Sequence, residues 1–408
     1  MNILPLLWKA TRYALLALAI YAFLVIGLGY YSFGRTAESA RYQKPQTGKL
    51  EAISNPLLRP NQESVLTFYA LGDWGTADQN QKQVSLLLEK DLATLAARHI
   101  SPFVLEAGDN VYQNGLASGW DNPEMKVQLS NVIDANYVGI SYQNEPIEYH
   151  IVAGNHDYEG DLALWETYAE ARYDGQNGMP IIKSYNQHHS AIADSNDKNE
   201  YDALISSTDL IELPELIETH SEIATFIAID SEKMLELYFR RSEKPELQSD
   251  LDEHWKQMER LASSSNSWTF ILAHHPVSTF GPHGGARDSL AYRSFRALQF
   301  FDDDYGNIDH PAYQEYIADF ESFSQRHPII FIAGHDHSLQ LNVVSDTLLQ
   351  VVSGSAGKTT FVTPGEGSIY SYAEHGFARF DITHSEVWIE FIDVSNDQPV
   401  LYRFKKDS

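Results

Sequence analysis

No cysteine occurs anywhere in the 408 residues. That excludes a disulfide framework and a thiolate metal site, but it leaves the compartment open, because an oxidising space permits disulfides without requiring them. Basic residues are scarce: 29 Lys and Arg stand against 56 Asp and Glu, for a formal net charge of −27. A nucleic-acid partner is disfavoured, since such binding depends on neutralising phosphates with Lys and Arg, and so is adhesion to an anionic membrane face. Acidity of this kind serves solubility or a salty medium. Internal repeats and low-complexity tracts are also lacking. The chain has ample material for a large core, with 43% hydrophobic and 12% aromatic residues, and α/β enzymes often use this length as one domain.

A charge-free stretch of 22 residues, Tyr13 to Gly34, follows Lys9 and Arg12. As a helix it would be about 33 Å long, enough to cross a hydrocarbon core of ~30 Å. A cleavable signal has a shorter apolar region of about 7–15 residues, and no clear small-x-small site closes this one. An uncleaved single-pass anchor is therefore favoured, with secretion after signal cleavage as the alternative. Arg35, Arg41, Lys44 and Lys49 follow the span, so charge does not fix the orientation. Residues 1–35 read as the anchor, 36–63 as a polar linker with Pro45, Pro56 and Pro60, and 64–408 as one catalytic body.

Five short motifs in the body each close an apolar run. They are Gly-Asp at Asp73, Gly-Asp-Asn-x-Tyr from Asp109 to Tyr112, Gly-Asn-His-Asp from Asn155 to Asp157, Ala-His-His-Pro at His274 and His275, and Gly-His-Asp-His at His335 and His337. The preceding runs, 65–71, 103–107, 149–153, 268–273 and 329–333, show little alternation, as in strands buried on both faces. Between them, Val84, Leu87, Leu88, Leu92 and Leu95 follow helical spacing, and so do Leu251, Trp255, Met258 and Ala262. Strand–helix alternation predicts central sheets flanked by helices, with all five motifs beyond the carboxyl ends of strands. The glycine before Asp73, Asp109, Asn155 and His335 would let the backbone approach a crowded centre. Residues 158–222 read as an insertion that walls or covers the site. Ser353 to Gly357 reads either as a turn passing close to it or as a plain tight turn.

Alone, a Gly-Asp is usually a turn or helix cap, and a His-x-His can be solvated. Five motifs in the same setting make one site. Carboxylates, a phenol, an amide and imidazoles without a thiol suit Fe, Mn or Zn, and there are enough donors for two ions.

These motifs resemble those of the calcineurin-like metallophosphoesterases (GD, GDxx, GNH, a lone His and GHxH), over residues 65 to 380. Tyr112, three residues after Asp109, is similar to the signature of the purple acid phosphatases. The stretches 273–284 and 334–340 resemble the small, tartrate-resistant type. The resemblance implies an α/β four-layer αββα sandwich of two mixed β-sheets, here preceded by one transmembrane helix. It implies a dinuclear centre with Fe(III) held by Asp73, Tyr112 and His337. The second ion, Fe(II), Zn or Mn, would be held by Asn155, His274 and His335, with Asp109 bridging. His275 stands where that type often has tyrosine, which leaves the choice between His274 and His275 open, although motif alignment favours His274. His156 and His283 match histidines that contact phosphate or protonate the leaving group. Asp157 and Asp336 would orient ligands. His150 reads as a packed or surface residue, His188 and His189 as solvated, and His375 receives no role.

The implied reaction is hydrolysis of a small phosphate monoester at acidic pH, with the body outside the cytoplasm. A phosphodiesterase or pyrophosphatase acting on nucleotides or lipid head groups is the alternative, and a non-catalytic surface binding protein a distant third. Oligomeric state is not legible.

Overall fold

The computed structural model describes residues 66–95, 102–119, 122–162, 171–185, 213–217, 223–263, 268–284, 306–395 and 400–405, together with 42–43, 50–53, 165 and a few positions between 13 and 24. The five apolar runs form the strands Leu66–Leu71, Phe103–Glu106, Glu148–Ile151, Trp268–Leu272 and Ile329–Ala333. Apart from Glu148, every residue in them is buried. Burial on both faces explains why these segments show no polar alternation.

Two eight-stranded mixed sheets result. In one, Leu66–Leu71, Phe103–Glu106, Glu148–Ile151 and Ile181–Ser184 run parallel in that order, and Gly376–Ile382 pairs antiparallel with the first. In the other, Ala224–Ala228, Trp268–Leu272, Ile329–Ala333 and Leu348–Ser353 run parallel, and Leu339–Ser345 returns antiparallel on Leu348–Ser353.

Alternate side chains of each strand serve different layers. Leu66, Phe68 and Ala70 join Phe226, Phe270 and Phe380 between the sheets, where the Phe68 ring stacks on Phe380 at 4.5 Å and meets Phe226 edge-on at 5.1 Å. Tyr69 and Leu71 point the other way, onto the helix Gln79–Leu92 through Val84, Leu88 and Leu92. On the second sheet, Ile271 and Phe331 face the helices Ser231–Arg240, Leu247–Ser263 and Pro311–Ser324. The architecture is helix, sheet, sheet, helix.

Part of the segment read as a linker is not a spacer. Tyr42–Gln43 pairs with Ser368–Tyr372 at the edge of one sheet, and Leu50–Ile53 pairs with Val400–Lys405 at the edge of the other. Edge pairing needs only backbone donors and acceptors, so it leaves little trace in side-chain pattern. The flanks of the 158–222 segment also join sheets, as Ile181–Ser184 and Glu215–Ile217, while residues 186–212, with His188 and His189, lie outside the described residues.

The 13–34 stretch lies mostly outside the described residues too. Tyr13, Leu16, Ile20, Tyr21, Phe23 and Leu24 are helical and exposed. Among the described residues, no helix is long and apolar enough to cross a membrane.

Candidate metal centre

The strand ends of the two sheets meet, and the turns that follow them are unusual. Asp73, Asp109 and His335 are non-glycine residues with positive φ, at 57°, 60° and 68°. Left-handed backbone of this kind carries strain of roughly 1–3 kcal/mol per residue and persists where the surroundings enforce it. Crowding does so here. A Cβ on Gly108 (φ 89°) would stand 2.6 Å from His274 Nδ1, and one on Gly154 would stand 2.2 Å from Asp109 Oδ1.

All seven residues expected as ligands converge. On one side the Tyr112 hydroxyl lies 2.8 Å from Asp73 Oδ1, 2.6 Å from Asp109 Oδ2 and 3.3 Å from His337 Nε2. His337 Nε2 is itself 3.2 Å from Asp73 Oδ1. On the other side Asn155 Oδ1 lies 3.0 Å from His274 Nε2 and 3.2 Å from His335 Nδ1. Asp109 touches both groups, since its Oδ1 is 3.5 Å from His274 Nε2. The halves named from sequence are therefore two spatial clusters sharing one carboxylate.

Backbone carbonyls aim the imidazoles. His274 donates from Nδ1 to Ala107 O at 2.7 Å and His335 from Nε2 to Gly306 O at 3.2 Å, which turns the remaining nitrogen of each ring inward. This bears on the two adjacent histidines. Ring nitrogens of His274, His275 and His335 all lie within 4.8 Å of one another, so proximity alone does not separate them. Their bonds differ: His275 Nδ1 is held by Ser231 Oγ at 3.0 Å and its Nε2 lies 3.5 Å from Glu232, whereas His274 Nε2 lies 3.0 Å from Asn155 Oδ1. Ser231 Oγ also accepts from the backbone N–H of His274 and His275.

Two buried carboxylates support the turns. Asp157 accepts from Asn110 N and Gly154 N, both at 2.8 Å, which ties two of the motifs together. Burial and the nearby Asp109 push its carboxyl up to about 7. Asp336 accepts from Gly281 N and His283 N, fixing the loop that carries His283. His156 and His283 flank the centre from different sides. His156 lies against Tyr112, with ring centroids 4.9 Å apart, and His283 against His335, at 4.0 Å. His150, by contrast, is buried beside Tyr185, and His375 bonds to Ser355 O.

The electrostatics fit cations. Burial, with Asp109 and Asp73 beside it, holds the Tyr112 phenol well above its usual range, so a phenolate there requires a compensating positive charge. Burial also raises the Asp109 carboxyl, but His274, His156 and the Tyr112 hydroxyl outweigh it and the net shift is downward. Burial, then His283, His275 and His274, keeps the His335 imidazole well below its ordinary value, which leaves it neutral and able to ligate. Asp73 and Asp109 are at most 1% exposed, and among the described residues no Lys or Arg bonds to either. Buried carboxylates of this kind are normally paired or bound to metal. The Asp73–Tyr112–His337 side is anionic and hard, and the Asn155–His274–His335 side is neutral and borderline.

One nearby residue escaped the sequence reading. Ser353 to Gly357 does pass close to the site, and it delivers Lys358, whose Nζ lies 3.1 Å from the centroid of the Tyr112 ring. The signal was a small-residue turn after a strand, with the lysine next in line.

A family model described as calcineurin-like phosphoesterase matches residues 66–339. Among curated proteins, purple acid phosphatase 4 of Arabidopsis thaliana is 25% identical over 376 residues, covering 86% of each chain. Purple acid phosphatase 7 of the same plant is 25% identical over 381 residues, covering 87% of this chain and 90% of its own. Among solved structures, that of GAP50, the anchor in the inner membrane complex of Plasmodium, aligns with a TM-score of 0.52 at 14% identity, over 85% of this chain and 90% of that one. This last likeness concerns the fold alone.

Proposed function

The chain belongs to the calcineurin-like phosphoesterase family, a metal-dependent phosphoesterase whose curated relatives are purple acid phosphatases, and from that footing we propose that it hydrolyses phosphate monoesters at acidic pH. The observation that carries this reading is the Tyr112 hydroxyl between Asp73 and Asp109. A phenol between two carboxylates suits a trivalent ion, Fe(III), held by Asp73, Tyr112 and His337, whereas Asn155, His274 and His335 suit Fe(II), Zn or Mn. Asp109 would serve both positions. Bound there, the ions would polarise phosphate oxygens and supply hydroxide at acidic pH for in-line displacement.

The remaining work falls to the chain's own side chains. His156 donates from Nδ1 to Gln113 O at 2.6 Å, which leaves Nε2 for the substrate. An imidazolium there binds a phosphate oxygen or gives its proton to the departing ester oxygen as the P–O bond breaks. His283, on the flank nearer His335, is assigned the second such task.

The same reading places the body outside the cytoplasm behind an apolar anchor at 13–34. Helical, exposed apolar positions in that stretch support it. Protection of the body from added protease in intact cells would count against it.

Metal analysis with a visible spectrum tests the central proposal. The purified full chain should contain iron, show a tyrosinate-to-Fe(III) charge-transfer band and hydrolyse an aryl phosphate, and Asp109→Ala should abolish that hydrolysis. A colourless, active protein with two divalent ions would refute the acid-phosphatase reading in favour of a diesterase or pyrophosphatase.

A further inference from the structure

The turn after the Leu348–Ser353 strand is bonded directly to residues of the centre. Ala356 N donates to Gly72 O at 3.2 Å, Gly357 N to Asp73 O at 3.0 Å and Thr360 N to His337 O at 2.8 Å. Lys358 lies between the last two bonds, so its backbone position is set by two of the expected ligands. Gly357 makes this approach possible, because a Cβ there would stand 2.7 Å from Asp73 O.

The Lys358 ammonium is half-buried over the Tyr112 ring, within electrostatic reach of Asp109 and Asp73. It makes no hydrogen bond to either carboxylate or to any other described residue. The two carboxylates are already engaged: Asp73 accepts from Tyr112 and from His335 N, and Asp109 accepts from Tyr112 and from His156 N. Its three N–H donors are therefore available to an anionic oxygen beside the centre.

We infer that Lys358 contacts a terminal oxygen of the bound phosphate and selects monoesters over diesters. This rests on the phosphoesterase reading above and sharpens its substrate class. A monoester presents three terminal oxygens and a diester only two, and below the monoester's second pKa of about 6 this count separates them more than charge does. His156 lies against the same tyrosine, and the lysine serves the additional terminal oxygen. A point charge on a flexible stem suits this role, since no planar fork is required.

The experiment compares metal-loaded wild type with Lys358→Met, which keeps the stem length, and Lys358→Arg, which keeps the charge. For Lys358→Met, kcat/KM on an aryl phosphate should fall roughly 10- to 100-fold, the size of a lost charge-assisted hydrogen bond. The matching aryl phosphodiester should change by less than about threefold, since it lacks the oxygen this donor serves. Affinity for inorganic phosphate, measured by calorimetry, should fall together with the monoester rate, and Lys358→Arg should restore most of both. Equal losses on the two esters, or unchanged phosphate affinity, would overturn the assignment. A wild-type protein that turns over neither ester refutes the hydrolase reading instead, and phosphate binding alone then decides the lysine's role.

Discussion

Adding one methyl group at Gly154 should disable the centre without replacing a ligand. In Gly154→Ala the new Cβ would stand 2.2 Å from Asp109 Oδ1, 2.4 Å from Asp109 N and 2.8 Å from His274 Cε1. Rotating the Asp109 side chain could relieve the first contact but not the second, which is backbone. The turn holding Asp109 already sits at a φ of 60°, so it has little freedom to retreat. Movement of roughly an ångström at a reacting centre costs on the order of 100-fold in rate. Because Asp109 touches both clusters, the loss should appear in kcat/KM and in the content of both metals together. Overpacking should lower stability by about 1–3 kcal/mol, leaving most molecules folded. Kinetics on an aryl phosphate, metal analysis and a denaturant melt of one preparation give all three quantities. Wild-type rate and metal content in a folded variant would refute the reasoning that these strand ends are packed to the limit.

Tyr112→Phe should bleach the visible band of the metal-loaded protein while circular dichroism stays unchanged, and a retained band would move the phenolate elsewhere. His274→Ala should lower metal content and cut activity by more than the roughly 10- to 100-fold that losing an outer partner of a ligand costs. His275→Ala should keep its metal and register mainly as lost stability, because its ring bonds to Ser231; the reverse order would exchange the two assignments. Arg379, 2% exposed, bridges Asp381 at 2.8 Å and Asp91 at 3.1 Å. Arg379→Met should cost about 3–5 kcal/mol in a denaturant melt, as expected when one partner of a buried ion pair is removed, and a loss below about 1 kcal/mol would mean the pair is screened by solvent.

The central strands were legible because burial on both faces leaves an uninterrupted apolar run, and the motifs because each follows such a run. What the sequence concealed depended on partners distant along the chain. Tyr42–Gln43 and Leu50–Ile53 are held through backbone groups, which every residue carries, so their composition resembles that of a linker. His274 and His275 share one strand end, and their different bonds depend on partners such as Ser231, at the start of a helix beginning some 40 residues earlier. Lys358 follows a turn of small residues whose course depends on hydrogen bonds to Gly72 and Asp73, almost 300 positions upstream.

The two N-terminal strands bear on where the chain tolerates cleavage. Tyr42–Gln43 lies along one edge of one sheet and Leu50–Ile53 along one edge of the other, so this short piece of chain pairs with both. A cut ahead of residue 42 would leave both strands in place. A cut beyond residue 53 would bare two rows of unpaired N–H and C=O groups at once, on opposite sheets, and give each molecule two sticky ends through which to polymerise. The span of chain that tolerates cleavage is thus narrower than the polar stretch suggests, and it ends where the first strand begins.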